Sequence, residues 1–525
     1  MDSLIVCLCL SVVIGIYFKS NPLNHSSNYM WRRFVNWFPL GMSYAFLYMA
    51  RYNLNVTKNA LGDLMTKADF GIIFGIGTAA YGFSFLLNGP LVDKWGGKKG
   101  ILIATIGSSA ANILMAVATY FFLTNHANQH IVWVYSSLYA LNMFFQSYGA
   151  VSIIKVKAYW FHVRERGTFG AIFGTLISFG LYFAFDWCQG IAEAAKLKAP
   201  EHLNSVQLML RRVFDVGSGS SDAIWLVFLI PAVLLLVWAV IDVYLIKDTP
   251  GEANFEDFDT HDASSDEMDR EYTVGQLLHK IFSSPVLLTI AFIEFTTGVV
   301  RNGILQWYFI FGKEVPQPGA EFFHDHWGLL LCLTGMLGGF LSGGISDKLF
   351  HSRRGPPAAI LNGCIFVLLA IMSWTLFKSP FSVGACAVLI SLAVIGVHSI
   401  MSGTAAADFG GRKATATASG ITDGFVYLGS GVQSICLGFL TTKDWVFWPV
   451  FLLPFTVVGL FLALRIWNFL PEATRKYLIE VEQVSLAFAA RIVTQTTGKS
   501  GKIKRTEVIE EVIAVQSGPR RRKAS

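Results

Sequence analysis

Two arginines stand where a membrane-spanning chain rarely carries charge. Arg51 lies in LYMARYNLNV (47–56) and Arg301 in TTGVVRNGILQWY (296–308), each inside an apolar run. A guanidinium in hydrocarbon is costly, and arginine cannot escape by losing its proton. Its planar fork of donors matches a phosphate or carboxylate bidentately, so a pair of them suits an oxyanion. Tyr44, Tyr48 and Arg51 fall at i, i+4 and i+7, one face of one helix. A buried phenol needs a hydrogen-bond partner, which an oxyanion oxygen supplies. The opposing reading is that each arginine pairs with a fixed acid or snorkels to an interface.

The elements that carry these residues follow from hydropathy. Of 525 residues, 53% are hydrophobic and 14% charged, against about 25% charged in soluble chains. Apolar runs of spanning length occur near 36–57, 69–92, 100–122, 132–154, 167–189 and 223–246. Six more follow near 284–310, 326–346, 357–377, 380–402, 414–440 and 446–468. The chain therefore reads as an all-α polytopic membrane protein. Its organisation is an N-terminal segment (1–33), a six-helix half (34–247), an acidic linker (248–283), a second six-helix half (284–468) and a tail (469–525). Residues 3–18 form a further apolar run without the basic n-region or cleavage site of a signal peptide, which predicts an extra helix starting on the outer side. About twice as many Lys and Arg fall in the loops on the linker side as in the opposite loops, so both ends of the twelve-helix core are expected in the cytoplasm. The seven cysteines show no metal-ligand or disulfide spacing. Neither a cofactor nor a catalytic constellation is visible, and nothing points to nucleic acid. The lipid bilayer is the partner composition demands.

The halves repeat. GPLVDKWGGKK (89–99) follows the second run and GGISDKLFHSRR (343–354) the eighth. Both hold a Gly-x-x-x-Asp-Lys core, with Gly89, Asp93 and Lys94 in the first and Asp347 and Lys348 in the second. VRERGTFG (163–170) and GGRKATATASG (410–420) repeat at a similar offset. Parallel six-helix repeats are the pattern of a major facilitator fold. In that fold the first helices of the halves face each other across a central site. Arg51 and Arg301, 250 residues apart, then become equivalent positions at that site, and two permanent cations there call for an anion.

Over residues 30–470 the sequence resembles the organophosphate:phosphate antiporter family of the major facilitator superfamily. The resemblance rests on YMARYN, AYGFSFLLNGPLVDK, RERGTFGAIFG, VVRNGILQWY…KEV and RKATATASGITDGFVYLGSG. It implies substrate arginines at Arg51 and Arg301, cavity tyrosines at Tyr44, Tyr48 and Tyr81, and an eleventh-helix tyrosine at Tyr427. It further implies exchange of a phosphate ester for inorganic phosphate, in a monomer of a bacterial inner membrane.

Three positions depart from the family's glycerol-3-phosphate carriers. A lysine is replaced by Phe85, a histidine by Ile177 and a tyrosine by Gly298, so the expected substrate is not glycerol-3-phosphate itself. Within spans the sequence instead has Glu294, Asp423 and His398. These are candidates for proton coupling or specificity, and Glu294 is equally expected to pair internally with Arg301, seven residues on, or with a neighbouring helix. A proton-coupled symporter of an anionic or zwitterionic solute is the alternative function, and a non-transporting sugar-phosphate sensor is another. TTGKSGK (496–502) lacks the upstream glycine of a nucleotide loop. The basic end GPRRRKAS reads as a solvated tail.

Overall fold

The computed structural model describes residues 2–125, 130–162, 165–198, 202–217, 221–258, 260, 274–316, 318–350, 353–409 and 411–468, though not every side chain within them. Helix dominates, and no strand occurs among the described residues. In the first half, α1 (Asp2–Lys19) precedes α2 (Ser27–Leu61), α3 (Lys67–Trp95), α4 (Gly97–Asn125), α5 (Ile131–Trp160) and α6 (Arg166–Tyr182). There follow α7 (Cys188–Ala194), the short α8 (Ser205–Val213) and α9 (Leu226–Leu245). The second half comprises α10 (Val274–Ser283), α11 (Pro285–Leu305), α12 (Trp307–Glu314), the short α13 (Glu321–Asp325) and α14 (Trp327–Phe350). It ends with α15 (Gly355–Thr375), α16 (Pro380–Phe409), α17 (Gly411–Lys443) and α18 (Phe447–Arg465). All twelve expected spans are helical, the fifth as α6–α7 and the seventh as α11–α12.

Local sequence explains where these helices begin. Ser26 caps α2 by accepting from Tyr29 N, and Thr66 and Asp69 form a reciprocal capping box at α3. Ser284 followed by Pro285 starts α11. Among the described residues, nine helices are long and apolar enough to cross a membrane, including α1. The first-span helix α2 is not among them; its polar residues include Arg51, Asn53 and Asn55, all buried. Lipid offers no partner to such groups, so they face protein.

The first Gly-x-x-x-Asp-Lys core, placed by its sequence at the end of the second apolar run, forms the last turns of α3. The turn is carried by Gly96 alone, at φ 93°, a conformation that suits glycine. The second core lies within α14.

The halves meet where glycines remove side chains. A Cβ on Gly82 would stand 2.9 Å from Gly424 O, and one on Gly438 2.9 Å from Lys67 O, so α3 and α17 pack backbone to backbone. At the end away from the linker, a π-turn at Phe183–Trp187 interrupts the fifth span. It aims Asp186 at the start of α14, where the carboxylate accepts from Gly328 N (2.8 Å) and Leu329 N (3.0 Å), a cap of one half by the other.

The extra helix α1 runs along this seam. Asp2 Oδ2 meets His326 Nδ1 at 2.6 Å, and Ser3 Oγ meets the Tyr182 hydroxyl at 3.0 Å. At its other end Tyr17 is buried, donating to Met30 O at 2.8 Å. Helix α1 thus starts at the end away from the linker, and its outer face (Leu4, Leu8, Val12) is exposed and apolar, suited to lipid.

Candidate functional site

Helix α2 carries Tyr44, Tyr48, Arg51 and Tyr52, all buried at the centre of the molecule. Arg51 donates from Nε to Gln146 Oε1 on α5 (2.8 Å) and from Nη1 to the Tyr427 hydroxyl on α17 (2.6 Å). Its guanidinium carbon lies 4.4 Å from the ring centre of Tyr81, 4.7 Å from that of Tyr48 and 5.3 Å from that of Tyr427, an aromatic cage of the kind that holds a cation. Arg301 on α11 approaches the Tyr48 hydroxyl from Nη2 at 3.5 Å. Tyr48 therefore touches both arginines, and Tyr44 packs edge-on against it at 5.2 Å.

The polar inventory of this group is incomplete. Arg51 Nη2, Arg301 Nε and the Tyr81 hydroxyl are buried without a hydrogen-bond partner. Neither arginine forms an ion pair with a carboxylate among the described residues. Buried donors are normally satisfied, and an unpaired buried cation is costlier still. The missing groups are acceptors and a negative charge, which is the chemistry of an oxyanion.

Behind Arg51 stands an amide network. Gln146 Nε2 donates to Asn142 Oδ1 (3.2 Å), Asn53 Nδ2 to Asn112 Oδ1 (2.9 Å), and Tyr139 OH to Arg51 O (3.1 Å). Beside Arg301, Asn302 accepts from the Tyr52 hydroxyl at 3.1 Å and donates to Ser430 Oγ. Sequence reasoning missed Gln146, Tyr52 and Asn302. Their signal was polarity within spans, which marks residues that face protein rather than lipid.

The departures acquire physical reasons. Gly298 lies against the backbone of α17 at Val426, where any Cβ would collide with the carbonyl. Phe85 meets Tyr81 edge-on at 4.7 Å, an apolar wall where a lysine would add charge. Glu294 does not pair with Arg301. Its Oε2 lies 2.8 Å from His398 Nδ1 on α16. Asp423 accepts from Ser402 Oγ at 2.8 Å.

Toward the linker, Asp93 accepts from Lys155 Nζ on α5 at 3.1 Å, Gly89 is buried and Lys94 is exposed. The side chains of Asp347 and Lys348 lie outside the described residues. Asp248, at the start of the linker, accepts from Lys98 N at 2.7 Å, pinning the linker to the start of α4. Nearby, Arg33 makes a bidentate pair with Glu165 (Nη1–Oε2 3.0 Å, Nη2–Oε1 2.9 Å) and donates from Nε to Tyr17 OH at 3.0 Å. Burial opposes ionisation of Glu165, but His25 and Arg33 outweigh it and hold the carboxyl down at about 2. At the opposite end Lys58 (2.7 Å) and Lys67 (2.8 Å) from one half grip Glu314 of the other.

Comparison with known proteins agrees with this architecture. A glycerol-3-phosphate transporter of Bacillus subtilis is 23% identical over 81% of this chain and 90% of its own. A probable hexose phosphate transport protein of Chlamydia trachomatis is 23% identical over 87% and 96%. The membrane sensor protein UhpC of Salmonella typhimurium is 22% identical over 77% and 84%. In fold, the chain resembles a crystal structure of the nucleoside transporter NupG, solved as a point mutant, with a TM-score of 0.52 at 13% identity, covering 82% of this chain and 99% of that one. The model of the Major Facilitator Superfamily matches residues 40–185 and 216–434. With two helical halves meeting at buried, repeat-related arginines, the chain belongs to the major facilitator superfamily.

Proposed function

We propose that this protein carries an organic phosphate ester of the glycerol-phosphate or sugar-phosphate class across a membrane, in exchange for inorganic phosphate. The observation that carries the reading is the pair Arg51 and Arg301. They are repeat-equivalent, buried and without a carboxylate partner among the described residues, and each retains an unpartnered donor. The phosphate-ester transporters among its relatives point the same way. Arg51, Arg301, Tyr44, Tyr48, Tyr81 and Tyr427 form the binding group. A phosphate bound between the arginines takes hydrogen bonds from both halves, so one ligand offsets charge on each and draws them together. The halves then rock about the site, exposing it to one side at a time. The lysine grip on Glu314 closes the end away from the linker, and we assign the linker end to the cytoplasm.

The test is uptake into proteoliposomes loaded with inorganic phosphate. Labelled phosphate should exchange into loaded vesicles and not into empty ones, and unlabelled sugar phosphates should compete. A sensing role is the second reading, favoured by the similarity to a membrane sensor. It predicts saturable phosphate-ester binding to the purified protein with no exchange.

A further inference from the structure

One buried cluster is left over once the phosphate group is assigned. Glu294 is fully buried on α11, two turns from Arg301 on the same face. Its Oε2 shares a hydrogen bond with His398 Nδ1 at 2.8 Å, while Oε1 is buried with no partner. The His398 side chain keeps 24% of its surface accessible, against none for Glu294. The imidazole is thus the reachable member of a carboxyl–imidazole pair whose acid is sealed in. Asp423 on α17 stands behind them, one turn from Tyr427, whose hydroxyl holds Arg51.

Charge balance gives the pair a task. Among the described side chains, the charged groups acting on the pair are Arg301 on α11 and Asp423 on α17, with the phenol of Tyr48 on α2 beside them. Arg51, Tyr44 and Tyr52 on α2, Tyr81 on α3 and Tyr427 on α17 make up the adjoining arginine group, and the side chains of Asp408, Arg412 and Lys413 on α16 and α17 lie outside the described residues. Of the other helices packed on α11 and α16, α15 carries no charged residue and α14 and α18 carry theirs in a last turn (Asp347, Lys348 and Arg465). Helices α10, α12 and α13 meet only the ends of α11 and α16, with His279, Lys280, Lys313, Glu314, Glu321, His324 and Asp325. With one proton shared between Glu294 and His398 the pair is neutral, and with Asp423 ionised the described groups Arg51, Arg301 and Asp423 sum to a net single positive charge. A phosphate dianion turns that into a net negative charge, which a low-dielectric interior resists. One further proton on the pair, giving a neutral carboxyl beside an imidazolium, restores neutrality.

We propose that Glu294 and His398 form a proton-binding site linked to the phosphate site, so that a phosphate dianion is bound and carried together with one proton. The proposal rests on the phosphate reading above. The proton comes from water on the side where phosphate enters and returns to water on the other, and only N–H and O–H bonds change. Linkage is reciprocal, so protonation of the pair tightens phosphate binding by the same factor by which phosphate tightens proton binding, and the titration belongs to the pair rather than to either residue.

The experiment is calorimetric titration of the purified full-length protein with inorganic phosphate at alkaline pH, where phosphate is a dianion. Repeating it in buffers of different protonation heat counts the protons taken up. The wild type should take up about one proton per phosphate bound, because the linked pair titrates as a unit. Glu294→Gln and His398→Asn should still bind phosphate, with uptake falling toward zero. Two variants on different helices guard against one failing to fold. Proton-neutral binding by the wild type, or undiminished uptake in the variants that fold, overturns the proton site and leaves the phosphate reading standing. Absence of phosphate binding to the wild type overturns both.

Discussion

Arg51 Nη1 donates to the Tyr427 hydroxyl at 2.6 Å, a hydrogen bond that crosses from the first half of the protein to the second. The centre is therefore joined by the arginine that engages phosphate in the proposed function, where ligand and protein would compete for the same donors. Replacement by lysine keeps charge and loses the fork. Arg51→Lys and Arg301→Lys should each weaken phosphate binding at least tenfold, about 1.4 kcal/mol, measured as the half-saturating phosphate concentration in exchange. Wild-type values in either variant would make that arginine structural.

The grip of Lys58 and Lys67 on Glu314 closes the end away from the linker. Glu314→Gln leaves two lysines, one of them buried, without their charge partner. It should shift the protein toward opening at that end by roughly 1 kcal/mol, given the partial exposure of the acid. Modification of a cysteine at Asn59, which now donates to Phe309 O across the closed end, should then proceed about fivefold faster by the same arithmetic. An unchanged rate would show that the grip does not set the equilibrium.

Glu165→Gln should lower thermal stability in detergent, because removing one partner of a buried ion pair costs roughly 3–5 kcal/mol. The pH response has a definite sign. The folded carboxyl titrates at about 2 and an unperturbed one at 4.5. Its stabilisation is thus complete above 4.5 and is lost as pH falls from there toward about 2. The wild type should lose more melting temperature over that window than the variant. Parallel acid profiles would contradict the pairing.

Orientation follows from the loop charges. A tag placed at 202–215, around α8, should react with impermeant reagent added outside intact cells. One at 255–258, at the start of the linker, should react only after permeabilisation. The reverse pattern would invert the proposed arrangement.

Much of this protein is written locally. Spans and the six-helix repeat are legible because hydropathy and a repeat offset are properties of the sequence along the chain. The equivalence of Arg51 and Arg301 and the shared face of Tyr44, Tyr48 and Arg51 follow from spacing alone. What the sequence left open was which partner each buried polar group would take. Glu294 had Arg301 seven residues away on its own helix, yet it bonds His398, 104 residues distant. Arg33 found Glu165 and Arg51 found Gln146 at separations of 132 and 95. Gly298 looked like a lost tyrosine until α17 was seen to lie against it. Helical periodicity says which residues share a face, but the neighbour across that face depends on how helices distant in sequence pack, and only the tertiary structure decides it.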